Sequence, residues 1–142
     1  MSTYVDTSLL VKLLIDEPGT ATAQQVWTEA TATVSVSLIA VEARAALAAA
    51  ARGGRLLARQ HRSAKAVLSD LLDELHVVEL STDLLSAAAE LAETQALRGY
   101  DAVHLAGALA TSDVLASADA DLCAAAERCG LLVANPLDGG WA

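Results

Sequence analysis

Five carboxylates stand where divalent-cation chemistry would need them. Asp6 immediately follows Thr3-Tyr4-Val5, a short apolar run that predicts a buried strand. Asp119 follows a second such run over 114–117, and Asp121 comes two residues later. Asp101 opens a helical segment after Tyr100. Glu42 lies about one and a half turns inside the helix expected after a third run, 33–36. It is flanked by Leu38-Ile39-Ala40-Val41 and Ala43, an apolar setting for an acid. Carboxylates gathered without a cation repel one another and raise one another's pKa. A divalent ion removes that cost. Hard oxygen donors, with no clustered His and no paired Cys, favour Mg²⁺ or Mn²⁺ over Zn²⁺. An ordinary alternative stands beside this one: Asp is a favoured helix N-cap, so Asp6, Asp101 and Asp119 could each be structural. Ser8 and Ser117 could orient a carboxylate or a metal-bound water, or could themselves cap helices. His104, one turn after Asp101, reads as a hydrogen-bonded structural histidine on a core-facing helix.

Positioning these acids requires alternating strands and helices. Strands are expected at 3–5, 33–36, 76–80, 114–117 and 131–133. Helical spacing begins with Leu9, Leu10, Leu13 and Leu14 and breaks at Glu17-Pro18-Gly19. Thr20 is the expected cap of a helix through about residue 30, and Ser37 of one running to Gly53-Gly54. Further helices are expected at 56–75, 83–96, 101–111 and 120–128, with Arg98-Gly99-Tyr100 as a turn and Gly130 as a stop. This alternation implies an α/β fold: a short parallel sheet with helices on both faces. Ligands of such sheets bind beyond the carboxyl ends of the strands, which is where the acids fall.

The chain has 142 residues, about one domain's worth, and is expected to form a single domain over 1–142 with 135–142 as a short tail. Its 54% hydrophobic content suggests a membrane protein until the residues are named, because alanine supplies 32 of them and Phe none. No uncharged apolar stretch is long enough to span a bilayer, and the N-terminus lacks the basic and apolar regions of a signal peptide. Cys123 and Cys129 are too few for a disulfide scaffold and are expected as free thiols in a reducing cytoplasm.

Net charge is −9, which argues against simple electrostatic binding to nucleic acid. The charge is uneven, however. Residues 44–65 carry six bases (Arg44, Arg52, Arg55, Arg59, Arg62, Lys65) and no acid. On a helix over 55–65, Arg55, Arg59, Arg62 and Lys65 would share about one third of the circumference. That face is either merely solvated or turned to RNA or an acidic partner. Other motifs are missing. There is no phosphate-binding Gly loop, no Cys-x-x-Cys, no His-Glu-x-x-His and no Gly-x-Ser-x-Gly.

Four segments together resemble a known family. They are Tyr4-Val5-Asp6-Thr7-Ser8, Ser37-Leu38-Ile39-Ala40-Val41-Glu42-Ala43, Leu97-Arg98-Gly99-Tyr100-Asp101-Ala102-Val103-His104-Leu105-Ala106 and Leu115-Ala116-Ser117-Ala118-Asp119-Ala120-Asp121-Leu122. In this order they resemble the motifs of PIN-domain ribonucleases, specifically the VapC toxins of type II toxin–antitoxin modules. The resemblance implies a Rossmann-like PIN fold and a metal-dependent endoribonuclease that arrests growth. Its acidic quartet would be Asp6, Glu42, Asp101 and Asp119, with Asp121 the rival for the fourth place. Mg²⁺, with Mn²⁺ as the alternative, would be held by Asp6, Asp101 and Asp119, and Glu42 would complete a second position or orient water. Arg52, Arg55, Arg59 and Arg62 could hold flanking phosphates. A cognate antitoxin of VapB type and a homodimer are the implied partners, with no membrane. The sequence departs from the family pattern at Ser117, where Thr is common; the hydroxyl is kept. Two rivals stand: a catalytically silent PIN-like binding module, and an aspartate-based phosphotransfer domain. The second is poorly served, since Ser8 replaces the second Asp a phosphatase would need and no Lys follows Lys65.

Overall fold

The computed structural model describes residues 2–138. Five short strands carry the sheet: β1 (Ser2–Val5), β2 (Ala32–Val36), β3 (His76–Val78), β4 (Val114–Ala116) and β5 (Leu132–Ala134). All neighbours pair in parallel, in the order β3-β2-β1-β4-β5. The chain runs outward from the central β1 to β3, then crosses back to β4 on the other side of β1. The cleft at the carboxyl ends of β1 and β4 is therefore the topological switch point, where open α/β sheets bind ligands.

Seven helices cover the sheet: α1 (Thr7–Lys12), α2 (Thr20–Glu29), α3 (Leu38–Arg52), α4 (Ala58–Glu74), α5 (Thr82–Thr94), α6 (Gly99–Thr111) and α7 (Ala120–Arg128). Strand alternation divides them between two cores. Val5, Val114 and Ala116 face α1–α4, against Leu9, Leu10, Ile39, Leu47 and Leu68. Tyr4, Val34, Val36 and Leu115 face α5–α7, against Leu84, Leu105 and Leu122. With no Phe, the close approach of helices to the sheet depends on small residues. Gly107 shows this most sharply: a Cβ there would stand 2.9 Å from the Tyr4 ring and from Val36.

Three expectations need correction. Thr20 does not cap α2; Gly19 does, in the left-handed region at φ +91°, and the Thr20 hydroxyl instead accepts from Glu17 N–H. Arg98-Gly99-Tyr100 is not a separate turn. Arg98 is the cap residue and α6 already begins at Gly99, so Asp101 is third in the helix and caps nothing. Arg55 lies before α4 rather than on it, and its guanidinium pairs with Glu17 at 2.8 Å. Of the expected 135–142 tail, Pro136–Asp138 form a 3-10 turn; residues 139–142 lie outside the described residues.

Candidate active site

Asp6 is where β1 becomes α1. It is 4% exposed, and both of its oxygens are in use. Oδ1 accepts from Leu9 N–H at 3.0 Å, which caps α1, and from the Ser8 hydroxyl at 2.7 Å. Oδ2 accepts from the Ser117 hydroxyl at 2.6 Å. Ser117 follows β4, and its Oγ also accepts from Asp119 N–H at 3.0 Å. Ser8 Oγ in turn accepts from Ala118 N–H at 2.8 Å. Two hydroxyls thus tie the end of β1 to the end of β4 through one buried carboxyl. Burial pushes the Asp6 pKa up, and these bonds together with the nearby His104 oppose the rise.

Asp119 caps α7, its Oδ1 accepting from Leu122 N–H at 3.0 Å. The capping reading therefore holds for Asp6 and Asp119, and it fails for Asp101. Asp101 is partly buried and its carboxyl accepts no hydrogen bond among the described residues. Its pKa is raised, first by burial, then by the charge of Asp119 and more weakly that of Asp6, with Arg98 and His104 opposing. Three acids from distant parts of the chain therefore share one electrostatic neighbourhood. Asp121 is exposed in the first turn of α7 and makes no described bond to this cluster.

Glu42 belongs to a different network. Its Oε1 accepts from the Thr7 hydroxyl at 2.8 Å and lies 2.6 Å from His104 Nε2. His104 Nδ1 lies 2.8 Å from the hydroxyl of buried Tyr4, which accepts from Val36 N–H at 3.3 Å. The neutral arrangement that satisfies every group has the Tyr4 hydroxyl donating to Nδ1 and Nε2–H donating to Glu42. Burial pushes Glu42 up, but the bonds and charge of His104 and the bond from Thr7 outweigh it, so its pKa is lowered. Glu42 Oε2 accepts no described bond and the side chain is one-fifth exposed, at 21%.

Among the described residues, no three His, Cys, Asp or Glu side chains are gathered closely enough to hold a metal ion as they stand. The donor set nevertheless suits a hard divalent cation. Among the described residues Asp101 accepts no hydrogen bond, the charge of Asp119 adds to the burial that raises its pKa, and the exposed Arg98 opposes that rise. Cys123 is buried behind Ser117, donating to its carbonyl at 3.3 Å, and its thiol is pushed up to about 12. That makes it a packing residue, not a nucleophile. Both cysteines are free thiols.

The PIN domain model matches residues 3–128. This chain belongs to the PIN-domain family. Within it, Ribonuclease VapC45 of Mycobacterium tuberculosis is 43% identical over 110 residues, 78% of this chain and 76% of that relative. The relationship places the chain among the VapC proteins. Of solved structures, PAE2754 from Pyrobaculum aerophilum superposes with a TM-score of 0.72 at 25% identity, covering 94% of this chain and 92% of that one. Mycobacterium tuberculosis VapC20, described as a sarcin–ricin loop cleaving toxin, gives 0.67 at 21% identity over 87% of this chain and 94% of its own. The five-stranded parallel PIN sheet is thus shared.

Sequence reasoning placed Asp6 and Asp119 at one sheet edge but missed what holds Glu42. Tyr4 and Thr7 carried no sequence signal of a site role: the first looks like core, the second like a helix opener. His104 was read correctly as hydrogen-bonded, but its partner lies 62 residues away in the chain. The basic segment is split. Arg52 ends α3, Arg55 is taken by Glu17, and Arg59 and Arg62 are exposed on α4.

Proposed function

We propose that this chain is a metal-dependent endoribonuclease, the toxin of a type II toxin–antitoxin pair. One observation carries the reading: Asp6 and Asp119 follow β1 and β4 at the switch point, and Asp101, its pKa raised first by burial, feels the charge of both. Asp6, Asp101 and Asp119 would hold the ion, Mg²⁺ or Mn²⁺, with Glu42 beside them. When bound, such an ion supplies a nucleophilic water at neutral pH and stabilises charge on the phosphoryl oxygens.

The chain's own residues prepare that chemistry. Ser8 and Ser117 fix the Asp6 carboxylate in one orientation, so little rotamer freedom is lost when a ligand arrives. Asp101, unsatisfied and partly exposed, is the acid with most to gain from a cation. Glu42 is anchored through Oε1, and its Oε2, with no described partner on a side chain 21% exposed, can orient a water. Arg52, Arg59 and Arg62 can hold flanking phosphates, while Arg55 is engaged by Glu17. A surface of net charge −9 suits a basic antitoxin. Among the described residues no helix is long and apolar enough to cross a membrane, and the cytoplasm is the compartment proposed. We also take 1–142 as one domain and the working form as a homodimer.

The test is cleavage of total cellular RNA by the antitoxin-free chain. Discrete fragments with Mg²⁺ or Mn²⁺, absent with EDTA and with Asp101→Asn, are expected. A folded, metal-binding chain that cuts no RNA would instead favour the silent binding module, and cleavage surviving in Asp101→Asn would overturn the site assignment.

A further inference from the structure

Beside the acidic cluster lies an open groove of about 600 Å³, lined by Leu38, Leu80, Leu85, Arg98, Tyr100 and Val103. Its apolar walls are unusually bare for an acidic protein: Tyr100 is 67% exposed, Leu85 45% and Leu80 38%. Two helices connect groove and cluster. On α6, Tyr100 and Val103 line the groove, and the next residues after them are Asp101 of the acidic cluster and His104 of the Glu42 network. Residues three apart share a helix face, and the adjacent pair is turned by about 100°. On α3, Leu38 lines the groove and Glu42, about one turn on, anchors the His104 network. The groove is therefore the immediate neighbour of the place where a phosphate would be cut.

Its chemistry points to one kind of occupant. Tyr100 offers an exposed aromatic face in a chain with only two Tyr, two Trp and no Phe. Arg98 is exposed, forms no ion pair among the described residues, and lies near enough to Asp101 for its charge to be felt there. An aromatic face, an aliphatic floor and one unpaired guanidinium beside a phosphate site match an unpaired nucleotide: base on Tyr100, phosphate on Arg98. Bases of single-stranded RNA are held in this manner, splayed out and stacked on aromatic rings.

We propose that this groove is a base-stacking subsite in which Tyr100 holds the unpaired nucleobase next to the scissile phosphate. Tyr100 positions substrate and takes no part in proton transfer. The proposal rests on the ribonuclease reading above.

The test has two arms. In the first, cleavage of an oligoribonucleotide spanning the site mapped in total RNA is compared for wild type, Tyr100→Ala and Tyr100→Phe. Loss of stacking should raise KM by about ten-fold in Tyr100→Ala and leave kcat within about two-fold, with Tyr100→Phe close to wild type. In the second, a pool of single-stranded RNAs carrying 2-aminopurine is added to the cleavage-deficient Asp101→Asn chain. Stacking should quench its fluorescence, and adding Tyr100→Ala should abolish the quench. Wild type that cleaves while Tyr100→Ala keeps its KM and the quench persists would overturn the subsite and leave the ribonuclease reading intact. Wild type that cuts no RNA would overturn both. A Tyr100→Ala chain with unchanged KM but altered size by light scattering would make the groove a protein interface instead.

Discussion

Asp6 and Glu42 lie beneath the same end of the sheet, yet their carboxyl groups are held in opposite ways. Asp6 is bound only by neutral donors, two hydroxyls and one backbone N–H, and its neighbours in the cluster are other acids. Its pKa rises, as does that of Asp101. Glu42 is bound by an imidazole that can share its charge, and its pKa falls. One half of the site is thus strained by burial, with like charge added at Asp101, and suits a cation; the other is held by donors from within the protein. Burial and donors together separate them: Asp6, 4% exposed, rises in spite of its three donors and the opposing charge of His104, whereas the more exposed Glu42 falls under the donors it has.

The largest effect that can break this contrast is in catalysis. Asp101→Asn removes the acid that no protein donor satisfies. Cleavage should fall by about a thousand-fold or more, because a cation held at the reacting phosphate contributes several kcal/mol. The same variant should leave the metal-free fold intact or more stable, since it deletes a repulsion. Single-turnover cleavage and thermal melting of one preparation check both signs. An Asp101→Asn chain that melts lower without metal than wild type would contradict the strained half.

The opposite profile is expected from His104→Ala. It takes the acceptor from the buried Tyr4 hydroxyl and leaves Glu42 with Thr7 alone, so stability should drop by about 2 kcal/mol, enough to read in urea melts. Cleavage should fall by about ten- to a hundred-fold, the usual effect of losing the group that orients an active-site side chain. Equal losses in His104→Ala and Asp101→Asn would mean that the two halves act as one.

Acid titration of the metal-free chain separates the halves without substrate. Asp6 and Asp101 have raised pKa values, so their contribution favours the folded state fully below the ordinary Asp value, about 3.9, and is lost as pH rises through the raised values. Glu42 has a lowered pKa, so its contribution is present above the ordinary Glu value, about 4.3, and is lost as pH falls through the lowered one. Thermal midpoints against pH should therefore climb through the lowered Glu42 value and decline through the raised Asp6 and Asp101 values. Glu42→Gln should remove the climb and Asp101→Asn should blunt the decline. Mg²⁺ should reverse the decline in wild type, because ligand binding to the folded state stabilises it.

How much of this could be read from the chain itself depended on distance along it. The strands were legible because each is a short β-branched or apolar run bounded by turn residues, and the acids were found because each follows such a run or sits in an apolar helix. Gly19 and Gly99 misled in opposite directions: the first caps a helix through a positive φ where Thr20 was the expected cap, and the second begins a helix where glycine suggested a turn. The pairings His104–Glu42 and Tyr4–His104 span 62 and 100 residues, and no local pattern encodes them. Arg55 looked like part of a basic helix face until Glu17, 38 residues earlier, was found beside it.

The smallest expected difference is between two neighbouring hydroxyls, one from each half. Ser8 donates to Asp6 and accepts from Ala118 N–H, so Ser8→Ala strips one bond from a buried acid and orphans an amide. Thr7 donates only to Glu42, whose Oε1 keeps His104. Ser8→Ala should therefore cost about 1 to 2 kcal/mol and Thr7→Ala about 0.5 kcal/mol. The pKa consequences also differ: without Ser8 the Asp6 value should climb further, whereas without Thr7 the Glu42 value should stay below the ordinary range on the strength of the imidazole. Carboxyl chemical shifts followed through an acid titration read both. If Thr7→Ala returned Glu42 to the usual glutamate range, the hydroxyl and not His104 would be what keeps that half neutralised.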